Sequence, residues 1–242
     1  MRAKNSVDFP ITVNGIFGFS DRSHKNHHSM SDDYLQRLPN WMQAAGDANS
    51  GEIEVLAGGG DLQFGIRYED PYILVIRDRV RFPDGREGGY VRLVNKGELD
   101  GSPGAVIVPV WSGCVVFIRI FRHATRSWEW ELPRGFHEAG LSESSNAEKE
   151  TKEELGVGVV SVRNLGGFNA NTGLLTGTIG AYAAELAANP LDSGTPELAE
   201  SIRDVRLVPL ASLEEFIREA PVRCGISLAA LLLYLNRAKR TP

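Results

Sequence analysis

Short runs of apolar, β-branched and aromatic residues alternate with polar and glycine-containing segments over the middle of the chain. Runs of this length and composition are typical of β-strands. The segments Gly58-Gly59-Gly60 and Pro83-Asp84-Gly85 separate some of these runs and have the composition of turns. The predicted strands of this region cover residues 53–56, 62–67, 72–80, 90–94, 105–110 and 114–121.

Helices join the strands in the second half of the chain. Ser142 is a favourable N-cap residue, and Gly156 can adopt the left-handed conformation that ends a helix, so we predict a helix between them. The succession of elements predicts an α+β protein in which a mixed β-sheet lies between helices. The other predicted elements are strands at 159–165, 178–186 and 202–208, and helices at 212–219 and 227–238.

The first fifty residues have a different pattern. Residues 31–50 carry apolar residues at helical intervals, which predicts one helix, with an interruption at Pro39. We therefore expect three regions along the chain. They are an N-terminal extension over 1–50, partly helical or flexible, a small β-subdomain over 51–100, and a larger domain over 101–242.

Three glutamates stand out in the predicted helix. Glu150, Glu153 and Glu154 are three and four residues apart, a spacing that places side chains on one face of a helix. Carboxylates crowded in this way repel one another unless a cation lies between them. Hard divalent cations such as Mg²⁺ prefer oxygen ligands and often bind substrate phosphates as well. A metal and diphosphate site is one interpretation, and a solvated acidic helix face is the other.

The stretch around these glutamates resembles the signature of the Nudix hydrolases, G-x5-E-x7-R-E-U-x-E-E-x-G-U, in which U is an aliphatic residue. Glu131-Leu132-Pro133 also resembles the sequence that commonly leads into this signature. The residues that match the signature are Gly135, Glu150, Glu153, Glu154, Gly156 and Val157.

Three positions depart from the signature. Leu141 replaces its first glutamate, Lys149 its arginine and Thr151 its aliphatic residue. The family's first glutamate and arginine are expected to pair, and losing both members of a pair can be nearly neutral. Lys149 can instead reach solvent or Glu153 one turn further along. We interpret the departures as an altered brace that leaves the carboxylate face in place.

The N-terminal strands and the sequence Pro83-Asp84-Gly85-Arg86 resemble the ADP-ribose pyrophosphatase branch of this family. The resemblance implies a Nudix fold, with a mixed β-sheet sandwiched between helices and a small N-terminal β-subdomain. It implies hydrolysis of a nucleoside diphosphate linked to another group, with ADP-ribose or a related nucleotide sugar as the preferred substrate. It also implies Mg²⁺, or alternatively Mn²⁺, as cofactor, and a homodimer.

The resemblance further implies roles for single residues. Glu150, Glu153 and Glu154 would bind the metal, and the last two would also be catalytic. Arg122 would bind the diphosphate, and Arg134 and Gly135 would line the substrate site. The alternative for Arg122 and its neighbouring arginines is a set of surface ion pairs with Glu129 and Glu131. Glu200 would accept a proton, although a solvated glutamate is equally compatible with that position.

Composition and charge narrow the classes of function. A net charge of −5 and a pI near 5.6 argue against broad binding to nucleic acid or to a membrane surface. Cys114 and Cys224 are expected to be buried free thiols. We see no secretory signal and no membrane span, so we expect a cytoplasmic enzyme. Two alternatives are a Nudix-fold module that binds nucleotides without hydrolysis and a structural protein.

Overall fold

The computed structural model describes residues 34–56, 63–99, 101, 104–135, 140–192, 201–220 and 222–238. Its first sheet is antiparallel, and strand β3 pairs with each of the other three strands. One face of β3 is buried at every second residue, as the alternation of a half-covered strand requires. The strands of this sheet are β1 (Glu54–Val55), β2 (Gly65–Glu69), β3 (Ile73–Arg81) and β4 (Glu87–Asn95).

The second sheet has seven strands and mixed direction. Its main path runs β11-β6-β5-β10-β9, with β7 paired to β6 and β8 paired to β5. Strands β5 and β10 are parallel, and the other neighbours are antiparallel. The strands are β5 (Ala105–Trp111), β6 (Cys114–Arg122), β7 (Ser127–Glu131), β8 (Arg134–Gly135), β9 (Val159–Phe168), β10 (Ile179–Leu186) and β11 (Ile202–Pro209).

Two helices cover opposite faces of the second sheet. Side chains alternate across β5, so Val106 and Val108 pack with helix α4 (Gly225–Ala238), whereas Ala105 and Ile107 pack with helix α2 (Glu143–Leu155). The remaining helices are α1 (Lys96–Leu99) and α3 (Leu213–Glu219). The predicted α+β class, with a Nudix-type mixed sheet between helices and a small N-terminal β-sheet, is confirmed.

The single helix expected over residues 31–50 is wrong for the described part of that range. Three short 3-10 turns occur instead, at Tyr34–Arg37, Asn40–Met42 and Ala48–Ser50. Pro39 lies between the first two turns. Proline has no backbone N–H to donate to the preceding turn, so a regular helix is interrupted at this position. Some of the apolar side chains at helical intervals are buried, although Trp41 is exposed. Tyr34, Leu38 and Met42 form one buried cluster with Leu74, Ile76 and Val94 of the first sheet.

The two sheets meet through backbone hydrogen bonds. The amide of Leu93 in β4 donates to the carbonyl of Leu174 at 2.8 Å, and the Leu93 carbonyl accepts from the amide of Thr176 at 3.3 Å. Leu174 and Thr176 belong to the segment between β9 and β10. This segment therefore links the second sheet to the edge strand of the first. Within the described residues, no helix is both long and apolar enough to cross a membrane.

Candidate active site

Helix α2 carries the acidic residues and has the caps predicted from its sequence. The Ser142 hydroxyl accepts a hydrogen bond from the amide of Ser145 at 3.1 Å. Gly156 has a φ of 70° and donates its amide to the carbonyl of Lys152. Both ends of the helix are thus fixed by local interactions.

Glu150 and Glu154 point toward the loop that ends in β8. Both side chains are buried, at 7% and 2% exposure. Glu154 accepts a hydrogen bond from the backbone amide of Arg134 at 3.4 Å. The carboxylate of Glu150 lies against Gly135, so closely that a Cβ at this position would overlap it. The absence of a side chain at Gly135 therefore gives the Glu150 carboxylate its place.

Glu153 has different surroundings from the other two glutamates. It is half-buried and forms an ion pair with Lys149 at 3.4 Å, as expected from their separation of four residues. Thr151 is fully buried, and its hydroxyl donates to the Ala147 carbonyl at 2.6 Å. This bond satisfies the hydroxyl within the helix, so threonine can occupy a position that is aliphatic in the family signature. Leu141, at the position of the missing glutamate, is exposed.

A buried glutamate holds two arginines beside this helix. Arg122, at the end of β6, donates two hydrogen bonds to Glu131 at 3.1 and 2.8 Å, and Arg134 approaches the same carboxylate at 3.1 Å. Burial acts to raise the pKa of Glu131, but the hydrogen bond from Arg122 and the charge of Arg134 outweigh burial and lower it. Burial acts to lower the pKa of Arg122, but its bond to Glu131 and the charges of Glu131 and Glu154 raise it. Both groups are therefore held in their charged forms.

Arg122 and Arg134 also line a cavity of about 420 Å³ between the two sheets. Its wall includes apolar side chains from both sheets, such as Leu93 and Ile179, and Gly135 lies at its border. Glu98 of helix α1 supplies an acidic side chain to the same wall. Such a mixture, largely apolar with a few polar groups, is typical of small-molecule sites. The arrangement can accept an anion near the arginines.

The carboxylates near Gly135 suit a hard cation in their chemistry. Glu150 and Glu154 are buried oxygen donors that face one backbone segment, and Glu153 is on the same helix. Among the residues that the structure describes, no group of three or more His, Cys, Asp or Glu side chains is arranged to hold a metal. A cation bound here would complete its coordination with water and substrate phosphates, which is common for Mg²⁺. The donor set fits Mg²⁺ on these terms.

The proposed proton acceptor, Glu200, lies outside the described residues. The ion pair between Arg122 and Glu131 is the contact expected under the surface ion-pair interpretation, although Glu131 is buried. The two cysteines, Cys114 and Cys224, are free as expected, but both are partly exposed and not buried.

Two acidic residues of this region were not predicted as site residues. Glu131 was noted only as part of the sequence that leads into the signature and as an ion-pair partner, and its burial depends on strand pairing. Glu98 had no sequence signal at all. Its partner Thr176 lies 78 residues further along the chain, so only the tertiary structure brings them together.

Comparisons with known proteins come from sequence and from structure. No protein-family model matches the chain. A curated relative, the CMP-5′-(N-acetyl-N-hydroxy-3-aminopropyl)phosphonate hydrolase of Streptomyces rubellomurinus (strain ATCC 31215), is 29% identical over 145 residues, which are 58% of this chain and 69% of the relative. A crystal structure of an ADP compounds hydrolase matches 78% of this chain and 92% of its own, with a TM-score of 0.60 and 19% identity. At this identity the structural likeness shows the fold.

Proposed function

We propose that this chain is a divalent-metal-dependent hydrolase of nucleotide compounds, with ADP-ribose or a related nucleotide sugar as its substrate. The observation that carries the proposal is the convergence of Glu150 and Glu154 on Arg134 and Gly135, beside a cavity lined by Arg122. The proposal is supported by two similar proteins whose names describe hydrolases of a CMP phosphonate and of ADP compounds. Both names combine a nucleotide with hydrolysis.

The reaction we propose is cleavage of the phosphoanhydride bond. A water oxygen forms a bond to one phosphorus, the bond from that phosphorus to the bridging oxygen breaks, and a proton of the water passes to a carboxylate. The products are a nucleoside monophosphate and a phosphorylated second group. When bound, the metal would lower the pKa of the attacking water and neutralise charge that develops on the phosphate oxygens.

The arginines would bind the diphosphate. Arg122 and Arg134 carry two positive charges against the single negative charge of Glu131, so these three groups together keep one positive charge, at a distance along the wall from the negative charge of Glu98. A guanidinium has five N–H donors, and the bonds to Glu131 leave others for phosphate oxygens. Glu131 would thereby fix the direction of both guanidinium groups before the substrate binds.

The acidic residues of helix α2 would hold the metal. We assign this role to Glu150, Glu153 and Glu154, with Mg²⁺ as the preferred ion and Mn²⁺ as the alternative, and we propose that the last two are also catalytic. The proton acceptor we propose is Glu200. The expected homodimer and the division into regions 1–50, 51–100 and 101–242 stay predictions.

The decisive experiment measures release of AMP from ADP-ribose with saturating Mg²⁺. We expect Glu153→Gln and Glu154→Gln each to lower turnover at least about tenfold, which corresponds to about 1.4 kcal/mol of activation free energy. Glu148→Gln is the matched control, because Glu148 is an exposed glutamate of the same helix. Unchanged turnover in both test variants would refute the assignment of the metal site.

The second candidate function is a nucleotide-binding module without hydrolysis. It is favoured by the replacement of two signature residues by Leu141, which is exposed, and Lys149, which pairs with Glu153. Calorimetric binding of ADP-ribose, together with absence of AMP under both Mg²⁺ and Mn²⁺, would support this function and exclude the hydrolase.

A further inference from the structure

The carboxylate of Glu98 lines the cavity between the sheets but has no role in the proposed reaction. The Thr176 hydroxyl donates to this carboxylate at 2.7 Å, and Gly177 lies so close to it that a Cβ there would overlap its oxygen atoms. Burial raises the pKa of Glu98, while hydrogen bonds from Thr176 and from the amide of Asn95 act in the opposite direction. Glu98 is therefore an oriented, partly desolvated hydrogen-bond acceptor.

Glu98 also separates two cavities. It lines the 420 Å³ cavity that contains Arg122 and Arg134, and it lines a neighbouring cavity of about 720 Å³. Trp41 and Asn169 contribute to the second cavity. No lysine or arginine is among the described residues that line this second cavity. Arg122 and Arg134 therefore lie on one side of Glu98. On the other side, Arg237 donates a hydrogen bond to the carbonyl of Asn164, which lines the second cavity.

We propose that Glu98 determines which substrates this site accepts, by hydrogen bonding to adjacent hydroxyl groups of a sugar that extends from the arginine-bound diphosphate toward the second cavity. This inference rests on the proposed function. A carboxylate has about four acceptor sites, and Thr176 and the backbone of Asn95 use two of them, so two neighbouring hydroxyls can bind the others. A site built to bond a hydroxyl discriminates against an analogue without it, because the analogue forgoes these charge-assisted hydrogen bonds.

The same carboxylate would select against anionic groups. A phosphate or carboxylate placed next to Glu98 would meet a like charge. The preferred substrates are therefore diphosphates whose second half is neutral and rich in hydroxyls. Diphosphates whose second half ends in an anion would be poor substrates.

The test compares wild-type protein with Glu98→Gln and Gly177→Ala. Glutamine keeps the shape of Glu98 but removes its charge and one acceptor. Alanine at 177 keeps Glu98 but forces its flexible carboxylate to move. Glu214→Gln is the control, because it makes the same chemical change at an exposed residue of helix α3. The double variant Glu98→Gln, Gly177→Ala shows whether the alanine acts through Glu98, because its effect would then be non-additive.

Four compounds serve as substrates. They are ADP-ribose, ADP-ribose without hydroxyls on the nucleoside sugar, an alkyl ester of ADP without the second sugar, and a carboxyalkyl ester of ADP. In the wild type we expect a preference of at least roughly tenfold for ADP-ribose over the alkyl ester, which lacks the second sugar. A loss of rate with the first analogue alone would place the nucleoside sugar at Glu98 and overturn the inference.

In Glu98→Gln we expect that preference to fall roughly tenfold because KM for ADP-ribose rises, while kcat stays within about threefold of the wild type. We also expect the carboxyalkyl ester to become a better substrate relative to the uncharged alkyl ester. Wild-type preferences in Glu98→Gln would overturn the inference. If the wild type hydrolyses none of the four compounds, the proposed function fails by itself. Calorimetric affinities of the same four compounds for the wild type and for Glu98→Gln then test Glu98. Equal affinities in the two proteins, or no binding, would overturn its role.

Discussion

Replacement of Glu131 by glutamine is expected to destabilise the protein substantially. The carboxylate is 2% exposed and receives two hydrogen bonds from Arg122 and an ion pair from Arg134. Glutamine keeps the size of the side chain and one acceptor oxygen, but it removes the negative charge. The variant therefore leaves two positive charges close together without their common counterion.

The magnitude follows from the burial of the three groups. Removing one member of a fully buried ion pair costs roughly 3–5 kcal/mol. Here the side chains of Arg122 and Arg134 are 30% and 28% exposed, so water can solvate part of each freed guanidinium. We therefore expect a loss of about 2–3 kcal/mol in the free energy of unfolding, near the contribution of one strong charge-assisted hydrogen bond. For a chain of this size that corresponds to a fall in Tm of roughly 4–12 °C.

Urea unfolding followed by fluorescence and circular dichroism measures this loss, and Glu129→Gln is the matched control. Glu129 lies two residues earlier on the same strand and is also buried, but its partner Arg223 is 61% exposed. We expect the control to lose about 1 kcal/mol, because its arginine returns largely to water. Equal losses in the two variants, or a loss below about 1 kcal/mol in Glu131→Gln, would refute the reasoning.

Two further predictions concern the pH dependence of stability and the replacement of Gly135. The pKa of Glu131 is lowered in the folded protein, so its stabilisation is present above the ordinary glutamate pKa, about 4.3, and is lost as the pH falls toward the lowered value. The stability difference between wild type and Glu131→Gln should shrink over that acidic range, and a constant difference would contradict the prediction. Gly135→Ala would displace the Glu150 carboxylate and should lower turnover at least about tenfold, with little change in Tm. Gly158→Ala, where a Cβ makes an ordinary contact, is the control in the same activity and melting assays.

Local signals in the sequence predicted much of the framework. The caps at Ser142 and Gly156 act within one turn of helix α2, so the sequence was sufficient to place both of its ends. The predicted strands of both sheets correspond to observed strands, because β-branched runs bounded by turns indicate strands directly. The helix expected over 31–50 was wrong, because Pro39 and the packing against the first sheet outweighed the helical spacing.

The sequence predicted less of the candidate site than of the fold. Spacing predicted that Glu150, Glu153 and Glu154 share one helix face and that Lys149 can reach Glu153, and that ion pair is observed. Spacing could not show that Glu150 and Glu154 are buried against Gly135 and Arg134, because this depends on the distance between helix α2 and strand β8. The same limit applies to Glu98, whose partner at Thr176 comes from a distant segment.

The junction between Leu93 and the segment that contains Leu174 and Thr176 consists chiefly of main-chain hydrogen bonds. Every residue type has a backbone carbonyl, and every type except proline has a backbone N–H, so these bonds do not depend on the side chain. Side chains of this connection can therefore vary during evolution while the seam between the sheets is retained. Because the segment also forms part of the cavity wall, such variation offers a route to new substrate preferences on an unchanged scaffold.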